Sequence, residues 1–125
     1  MKKTIQTDKA PKAVGPYSQA IEINGTLYTS GQIPINPATG AVVEGGIAAQ
    51  TEQVFRNIEA VLSEAGYTLA NVVKTTVLMQ DLNDFAAMNE VYARFFTAQQ
   101  PARSTFQVAK LPLGAQVEIE TVAVK

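Results

Sequence analysis

The dipeptide Asn24-Gly25 constrains the fold of this chain more than any other feature of its sequence. It lies between residues 18–23 and 26–33, two segments in which apolar and polar residues alternate. Such alternation is typical of half-buried β-strands. A two-residue type I′ turn needs positive φ at both central positions, and Asn-Gly is strongly preferred there. The sequence therefore predicts a β-hairpin at this point.

The turn also sets the register of the hairpin. A two-residue loop pairs Ile23 with Thr26, and the same register places Gln19 opposite Ser30. Tyr17 then lies diagonally across from Ser30 on the same face of the sheet. We expect Tyr17 and Ser30 to share one pocket wall.

Hydrophobic periodicity divides the rest of the chain into further elements. In order, it predicts a weak strand at 3–6, an exposed loop at 34–46, a helix at 47–65 closed by Gly66, a buried strand at 72–79, a second helix, and strands at 105–111 and 116–124. Asp81 or Asn83 can cap the second helix. The apolar stripe of that helix consists of Phe85, Met88, Tyr92 and Phe95.

The order of these elements is β-β-β-α-β-α-β-β. Both strand-helix-strand units are long enough for right-handed crossovers, and the hairpins add antiparallel pairs. We therefore predict one α+β domain over residues 1–125, built as a single mixed sheet with two helices on one face. Because the strands are rich in Val, Ile and Thr, the second face also needs a cover, and the sequence predicts an oligomer.

The absence of cysteine and histidine excludes several kinds of chemistry. Disulfide frameworks, thiol nucleophiles, Ser-His-Asp triads and zinc sites of the usual type all need one of these residues. A general acid or base must therefore be Asp, Glu, Lys, Tyr or a bound water. The sequence shows no cluster of Asp and Glu at ligand spacing either, so we expect no metal and no other cofactor.

Charge and hydropathy argue against two kinds of partner. The chain has 10 Lys and Arg against 11 Asp and Glu, without the basic patch that nucleic acids and anionic membranes attract. The first residues lack the apolar run of a signal peptide, and no segment approaches about 20 apolar residues. We expect a soluble cytoplasmic protein with no nucleic-acid or membrane partner.

The stretch from Pro101 to Glu120 contains the clearest candidate site. Arg103 follows Pro101 closely, and the proline restricts the local backbone, so the position of the arginine side chain is partly preset. The planar guanidinium can hold a carboxylate through two parallel hydrogen bonds, which a lysine cannot do. Glu118 and Glu120 lie two residues apart on a predicted strand, so both point to one face, where one of them can act as a base.

These charged residues also have ordinary structural interpretations. Arg103 can be a surface side chain paired with Glu118 or Glu120, and the carboxylates can form a solvated strand face that discourages edge pairing. A direct hairpin around Leu113 would place Arg103 nearer to Ala123 than to Glu118. A site that uses both Arg103 and Glu118 must therefore be assembled by the order of strands or by a neighbouring subunit.

Three further motifs contain polar groups or a glycine that have both a structural and a functional interpretation. The segment Gly15-Pro16-Tyr17-Ser18 is typical of a turn before a strand, or it presents Tyr17 as a lid or hydrogen-bond donor. Gly31 interrupts a strand pattern after Ser30, which indicates a bulge or the close approach of a ligand. Asn89 lies in the second helix, where it is either exposed or has a partner for its amide.

Four motifs, in order along nearly the whole chain, resemble those of the Rid (YjgF) family. They are Gly15-Pro16-Tyr17-Ser18-Gln19-Ala20, Ser30-Gly31-Gln32-Ile33-Pro34, Asp81-Leu82-Asn83-Asp84-Phe85 with Asn89-Glu90-Val91-Tyr92, and Pro101-Ala102-Arg103-Ser104 with Val117-Glu118-Ile119-Glu120. Because the chain keeps the arginine, it resembles the enamine/imine deaminase branch of that family.

The resemblance implies a homotrimer with a chorismate-mutase-like α+β fold and with sites in the clefts between subunits. It implies hydrolysis of 2-iminobutanoate and 2-iminopropanoate to 2-oxo acids and ammonia, without metal or cofactor. It also implies a functional link to the pyridoxal-phosphate-dependent threonine and serine dehydratases that release these imines. A protonated imine is already electrophilic, so such a site needs to hold the carboxylate, orient water and move a proton.

The resemblance also assigns roles by position. Arg103 would bind the substrate carboxylate, Glu118 would position or activate the water, and Tyr17 would take part beside them. The remaining substrate-contacting positions are Ser30, Gly31, Asn89 and Thr105. Thr105 stands where many members have cysteine, so a cysteine nucleophile is impossible in this chain.

Two hypotheses from different functional classes follow. The first is the deaminase. The second is a non-catalytic trimer that binds small carboxylates in the same clefts and regulates a partner protein. Related proteins have also been linked to RNA cleavage, which the balanced charge of this chain does not favour.

Overall fold

Eight strands and two α-helices form the fold in a computed structural model that describes residues 1–125. The elements are β1 (Lys3–Ile5), β2 (Ala20–Ile23), β3 (Thr26–Thr29), β4 (Ile35–Asn36), β5 (Ala41–Val42), α1 (Gly46–Glu64), β6 (Val72–Met79), α2 (Phe85–Phe95), β7 (Ala102–Gln107) and β8 (Val117–Val124). Six strands form one sheet in the order β1-β2-β3-β8-β6-β7. Only β6 and β7 pair in parallel, so the sheet is mixed, as predicted.

The predicted hairpin around Asn24-Gly25 is confirmed. Asn24 has φ 51° and Gly25 has φ 77°, the positive values that a type I′ turn requires. Ile23 pairs with Thr26. The register continues beyond the strands, because the Ser30 N–H donates to the Gln19 carbonyl oxygen over 2.9 Å.

Helix α1 ends where the sequence indicates, but neither Asp81 nor Asn83 caps α2 itself, whose N-cap residue is Asp84 without a side-chain hydrogen bond. After α1, Gly66 adopts φ 81°, and the Tyr67 N–H donates to the Leu62 carbonyl oxygen over 2.8 Å, which closes the helix in a Schellman arrangement. Ahead of α2, an Asp81 carboxylate oxygen accepts from the Asn83 N–H over 2.8 Å. This contact caps a short 3-10 turn that leads into α2.

The prediction that residues 34–46 form only a loop is wrong. Strands β4 and β5 pair there as a small antiparallel hairpin outside the main sheet. Asn36 organises its turn, because its carbonyl oxygen accepts from the Gly40 N–H over 2.8 Å and its side-chain oxygen accepts from the Ala38 N–H over 2.9 Å. Turn residues dominate this stretch of sequence, and they obscure strands of only two residues each.

The strand predicted at 105–111 lies earlier in the chain than expected, because β7 begins three residues before the predicted start and ends four residues before the predicted end. Strand β7 begins at Ala102 and ends at Gln107 because it follows β6, from the Lys74–Ala102 pair to the Met79–Gln107 pair. Its limits are thus set by its neighbour and not by its own alternation of residues. The other predicted strand, β8, begins one residue later than expected.

The hydrophobic core lies between the two helices and one face of the sheet. Alternate residues of β8 are buried on this face, including Val117 and Ile119. Helix α1 contributes Phe55, whose ring stacks on Phe95 at 4.5 Å between centroids. Helix α2 is fixed to the same face by the hydroxyls of Tyr92 and Thr75, which lie 2.8 Å apart. The prediction of two helices on one face is confirmed.

The opposite face of the sheet has no helix against it. Its side chains include Tyr28 and Phe106, each 51% exposed, and Val124, which is 43% exposed. Val122 and Ile21 lie beside Tyr28 and are half-buried. The same face carries Glu118 and Glu120 on β8, but an exposed apolar patch like the one around Tyr28 is unusual on a lone chain. No helix in the chain combines the length and the apolar character needed to cross a membrane.

Candidate functional site

A cavity of about 480 Å³ opens beside strand β8 and contains Glu118 in its wall. Tyr17, Ser30 and Gly31 line the same cavity. Tyr17 and Ser30 therefore line one cavity, as predicted, although the hairpin register behind that prediction ends at Gln19 and Ser30, because Gln32 pairs with Ile119 and not with Tyr17. We call this space the Glu118 cavity.

The backbone of residues 30–32 is held directly against Glu118. Gln32 and Ile119 exchange two backbone hydrogen bonds of 2.9 and 3.1 Å, just beyond the end of β3. This bridge places Gly31 next to the Glu118 side chain. A Cβ at Gly31 would lie 2.9 Å from Cδ of Glu118 and still closer to its carboxylate. The close approach predicted at Gly31 is thus made by a carboxylate of the same chain.

The surroundings of Glu118 favour its protonated form. Burial raises the pKa of the Glu118 carboxyl above its ordinary value, and the negative charge of Glu120 raises it further. Glu120 lies two residues along β8 on the same face and is exposed. A carboxyl group whose pKa is raised above its ordinary value holds a proton more readily than a free carboxylate, as a general base that later returns its proton must do.

The two hydroxyl groups of the cavity wall are held by local hydrogen bonds. The Ser30 hydroxyl donates to the Ser18 carbonyl oxygen over 2.6 Å. The Tyr17 hydroxyl accepts a long hydrogen bond of 3.4 Å from the Val14 N–H. Tyr17 is 53% exposed, so its phenol remains free to donate to a ligand.

Arg103 lies in a different cavity, of about 390 Å³, formed between β7 and α2. Its Nη1 donates to Oδ1 of Asn89 over 2.7 Å. The guanidinium carbon lies 4.7 Å from the centroid of the Tyr92 ring and 5.4 Å from that of Phe85. Cation–π contacts of this kind stabilise a guanidinium without using its N–H donors. The other donors of Arg103 remain available for an anion.

The interpretation of Arg103 as an ion-pair partner of Glu118 or Glu120 is wrong within one chain. The ion pairs of the chain involve Arg56 and Arg94, and none involves Arg103. Asn89, which the sequence leaves either exposed or partnered, is half-buried and orients Arg103. Nothing in the sequence pairs Asn89 with Arg103 in advance, because the contact joins a helix to a strand 14 residues away.

The sheet separates Arg103 from Glu118. Strand β6 lies between β7 and β8, so the two residues are not cross-strand neighbours. Arg103 pairs with Thr75, which is buried on the face that carries the helices. Glu118 pairs with Leu78 and projects from the opposite face. One chain by itself does not bring Arg103 and Glu118 into one site.

Thr105 lies two residues beyond Arg103, on the same side of β7. Its hydroxyl is buried and has no hydrogen-bond partner within the chain. Buried hydroxyls usually have a partner, so this group has unused hydrogen-bonding capacity. Thr105 is not part of the wall of the Arg103 cavity.

The structure adds cavity residues that the sequence did not indicate. Lys12, Val14, Gln19 and Leu113 all line the Glu118 cavity. Leu113 has φ 56° and is 72% exposed, at the turn between β7 and β8. The turn composition around Pro112 was a usable signal for such an exposed residue, whereas nothing local marks Lys12 or Val14. No three carboxylates cluster as a metal site would require.

Comparison with known proteins finds relatives along the whole chain. A family model described as Endoribonuclease L-PSP matches residues 7–125. A RutC family protein of Pyrococcus horikoshii is 52% identical over 125 residues, which cover 100% of this chain and 99% of that protein. The human 2-iminobutanoate/2-iminopropanoate deaminase is 47% identical over 125 residues, covering 100% of this chain and 91% of that protein. A solved structure of a Rid family protein from Yersinia pestis superposes with a TM-score of 0.97 at 52% identity and covers 100% of both chains.

Proposed function

This chain belongs to the endoribonuclease L-PSP family, the Rid (YjgF) family, and on that premise we propose that it hydrolyses 2-iminobutanoate and 2-iminopropanoate to 2-oxo acids and ammonia. Several mammalian relatives at 47–49% identity are named for this activity. The observation that carries the proposal is the position of Glu118, whose pKa is raised and whose carboxyl lies in a cavity with Tyr17 and Ser30.

The proposed reaction begins with the addition of water to the imine carbon. The oxygen of the water forms a bond to C2 of the protonated imine while Glu118 accepts a proton from that water. Glu118 then returns that proton to the nitrogen of the resulting carbinolamine. The C2–N bond then breaks as ammonia leaves, and the hydroxyl on C2 gives its proton to the departing ammonia, so that C2 becomes the carbonyl carbon of the 2-oxo acid and ammonium is released. The net change is one protonated imine and one water converted to one 2-oxo acid and one ammonium ion, with no redox step.

Tyr17, Ser30 and Gly31 complete the cavity in this proposal. The exposed phenol of Tyr17 is positioned to donate a hydrogen bond to the substrate, and the Ser30 hydroxyl supports the same wall. Gly31 lets the backbone approach both the Glu118 carboxylate and the substrate, since any side chain would fill that space.

Arg103 enters the proposal through a second copy of the chain. Because the sheet separates Arg103 from Glu118 within one chain, we assign the complete site to the cleft between subunits of a homotrimer with a chorismate-mutase-like fold. In that cleft Arg103 of one copy binds the carboxylate of a substrate in the Glu118 cavity of its neighbour. Asn89 orients the guanidinium. The Thr105 hydroxyl is unpartnered but buried within one chain, so its proposed contact with the substrate requires that the assembly expose it. The exposed apolar sheet face supports such an assembly.

A coupled assay tests the activity. Purified protein is added to a pyridoxal-phosphate-dependent threonine dehydratase, which releases the imine, and the formation of 2-oxobutanoate is timed. The deaminase accelerates this step in proportion to its concentration. The competing function, a regulatory trimer that only binds small carboxylates, leaves the rate at the uncatalysed value. An unchanged rate across a wide range of protein concentration would therefore refute the proposed activity.

A further inference from the structure

Residues 7–17 form one side of the Glu118 cavity, and we call them the wall segment. They follow β1 and contain no helix or strand. The segment delivers Lys12, Val14 and Tyr17 to the cavity. Val14 is 87% exposed, and Ala10 is the one residue of the segment that belongs to the hydrophobic core. Apolar packing alone therefore holds this wall weakly.

A single side chain makes all the hydrogen bonds between the wall segment and the rest of the chain. Oε1 of Gln19 accepts from the Thr7 N–H over 2.7 Å. Its Nε2 donates to the Thr7 carbonyl oxygen over 3.1 Å and to the Pro11 carbonyl oxygen over 2.8 Å. The other hydrogen bonds of the segment, such as Lys9 N–H to the Thr7 hydroxyl, are internal to it.

Gln19 is well placed for this task. It is 3% exposed, and it directly precedes β2, where the Ser30 N–H bonds to its backbone oxygen. The side-chain amide uses both N–H donors and one lone pair of its oxygen on backbone groups, so it has no donor left for a ligand. Its contribution to the cavity must pass through the segment that it holds.

We propose that Gln19 is the positioning residue of this site, and that its amide holds the wall segment so that Tyr17 and Lys12 face the substrate before it binds. The inference rests on the proposed function, because it concerns binding at the same cavity. Without the amide, a ligand must order the segment as it binds, and the cost of that ordering weakens affinity. Chemistry at Glu118, which lies on the rigid sheet, changes less.

The experiment compares Gln19→Leu with Gln50→Leu. Gln50 is a buried glutamine whose Oε1 accepts from the Gln116 N–H over 2.8 Å, and it does not line the Glu118 cavity. For Gln19→Leu we expect the Kd for 2-oxobutanoate and the KM for 2-iminobutanoate to rise about tenfold, while kcat stays within about threefold. Hydrogen exchange of residues 7–17 should become faster. Gln50→Leu should leave all of these values within about twofold.

Gln19→Glu provides a second test through pH. The ionised carboxylate faces the carbonyl oxygens of Thr7 and Pro11 without a proton to donate, so the wall is released. The protonated acid regains one donor and keeps the acceptor for the Thr7 N–H. At each pH, the Kd of Gln19→Glu for 2-oxobutanoate is divided by the Kd of the unaltered protein. We expect this ratio to fall toward one as the pH is lowered.

Distinct results separate the two proposals. A Gln19→Leu protein with faster exchange at residues 7–17 and an unchanged Kd would overturn the role of Gln19. The role of Gln19 would also be overturned if the Kd of Gln19→Glu, divided by the Kd of the unaltered protein, did not vary with pH. This second test does not depend on whether Gln19→Leu folds. If the unaltered protein binds 2-oxobutanoate but hydrolyses no imine, the proposed activity fails, while the binding and exchange measurements still decide the role of Gln19.

Discussion

Asn89 and Arg103 form a hydrogen bond of 2.7 Å that joins helix α2 to strand β7. Two aromatic rings of the same region, Tyr92 and Phe85, lie against the guanidinium. The arginine is thus held on one side by a neutral acceptor and by ring faces, and its charge is not neutralised by any carboxylate of the chain. This arrangement is suited to binding an external anion.

Replacement of Arg103 tests its proposed role as the carboxylate anchor. Loss of a charge-assisted bidentate contact costs about 2 to 4 kcal/mol, so Arg103→Ala should lower kcat/KM for 2-iminobutanoate by roughly 30- to 1000-fold. Arg103→Lys should recover only part of this, because a point charge cannot reproduce the planar fork. Near-normal imine hydrolysis by a folded Arg103→Ala protein would sink the assignment.

Removal of the Glu118 carboxylate should separate catalysis from binding. Glu118→Gln keeps the shape of the side chain but cannot accept a proton, so we expect kcat to fall by at least about 100-fold while 2-oxobutanoate still binds. Glu120→Gln is the matched control on the same strand, and its effect on kcat should be smaller. The reverse order of the two effects would mean that Glu120 is the base.

The raised pKa of Glu118 predicts two dependences on pH. Activity needs the carboxylate, so it should be lost as pH falls through the raised pKa of Glu118. Glu120→Gln removes one cause of the raised pKa, so in that variant the loss of activity should occur at lower pH.

The free energy of unfolding should depend on pH in the opposite direction to activity. Because the folded state binds the proton more tightly, the contribution of Glu118 to stability is fully present below its unfolded pKa and is lost as pH rises through the folded pKa. Denaturant unfolding of Glu118→Gln, followed against pH, should lack this loss.

Gly31→Ala should disturb the site through a collision and not through backbone strain. Its added Cβ meets the Glu118 side chain, and Gly31 does not have positive φ. Because the end of the Glu118 side chain must move to make room, we expect kcat/KM to fall at least about tenfold, with little change in the free energy of unfolding. Gly40→Ala is the contrasting control, because its φ of 75° causes strain but no atom lies within 4 Å of the new Cβ. It should lower the Tm and leave activity intact.

The exposed sheet face, together with the family resemblance, predicts a trimer in solution, which light scattering can measure. Tyr28→Asp places a charge at the centre of this face and should dissociate the assembly. Ala48→Asp, at an exposed position of α1 away from that face, should leave the oligomer intact. A monomer for the unaltered protein at low concentration would exclude a site shared between subunits.

Several parts of the candidate site were predictable from sequence, and others were not. The hairpin register brings Ser30 opposite Gln19, because turn chemistry and the period of a strand are local properties. The pairing of Asn89 with Arg103 and the tether from Gln19 to Thr7 and Pro11 were not predictable. Each joins groups that are distant in sequence, and a polar side chain gives no local sign of its partner.

The sequence by itself determined the helices, the central hairpin and the α+β class, since capping residues, periodicity and turn types act over a few neighbouring residues. Only the tertiary structure decided that β6 lies between β7 and β8. That order depends on the packing of whole strands against α1 and α2, which no local pattern records. The pairing register sets Arg103 beside Thr75 on one face and Glu118 beside Leu78 on the other, so one chain by itself does not bring both residues to one substrate.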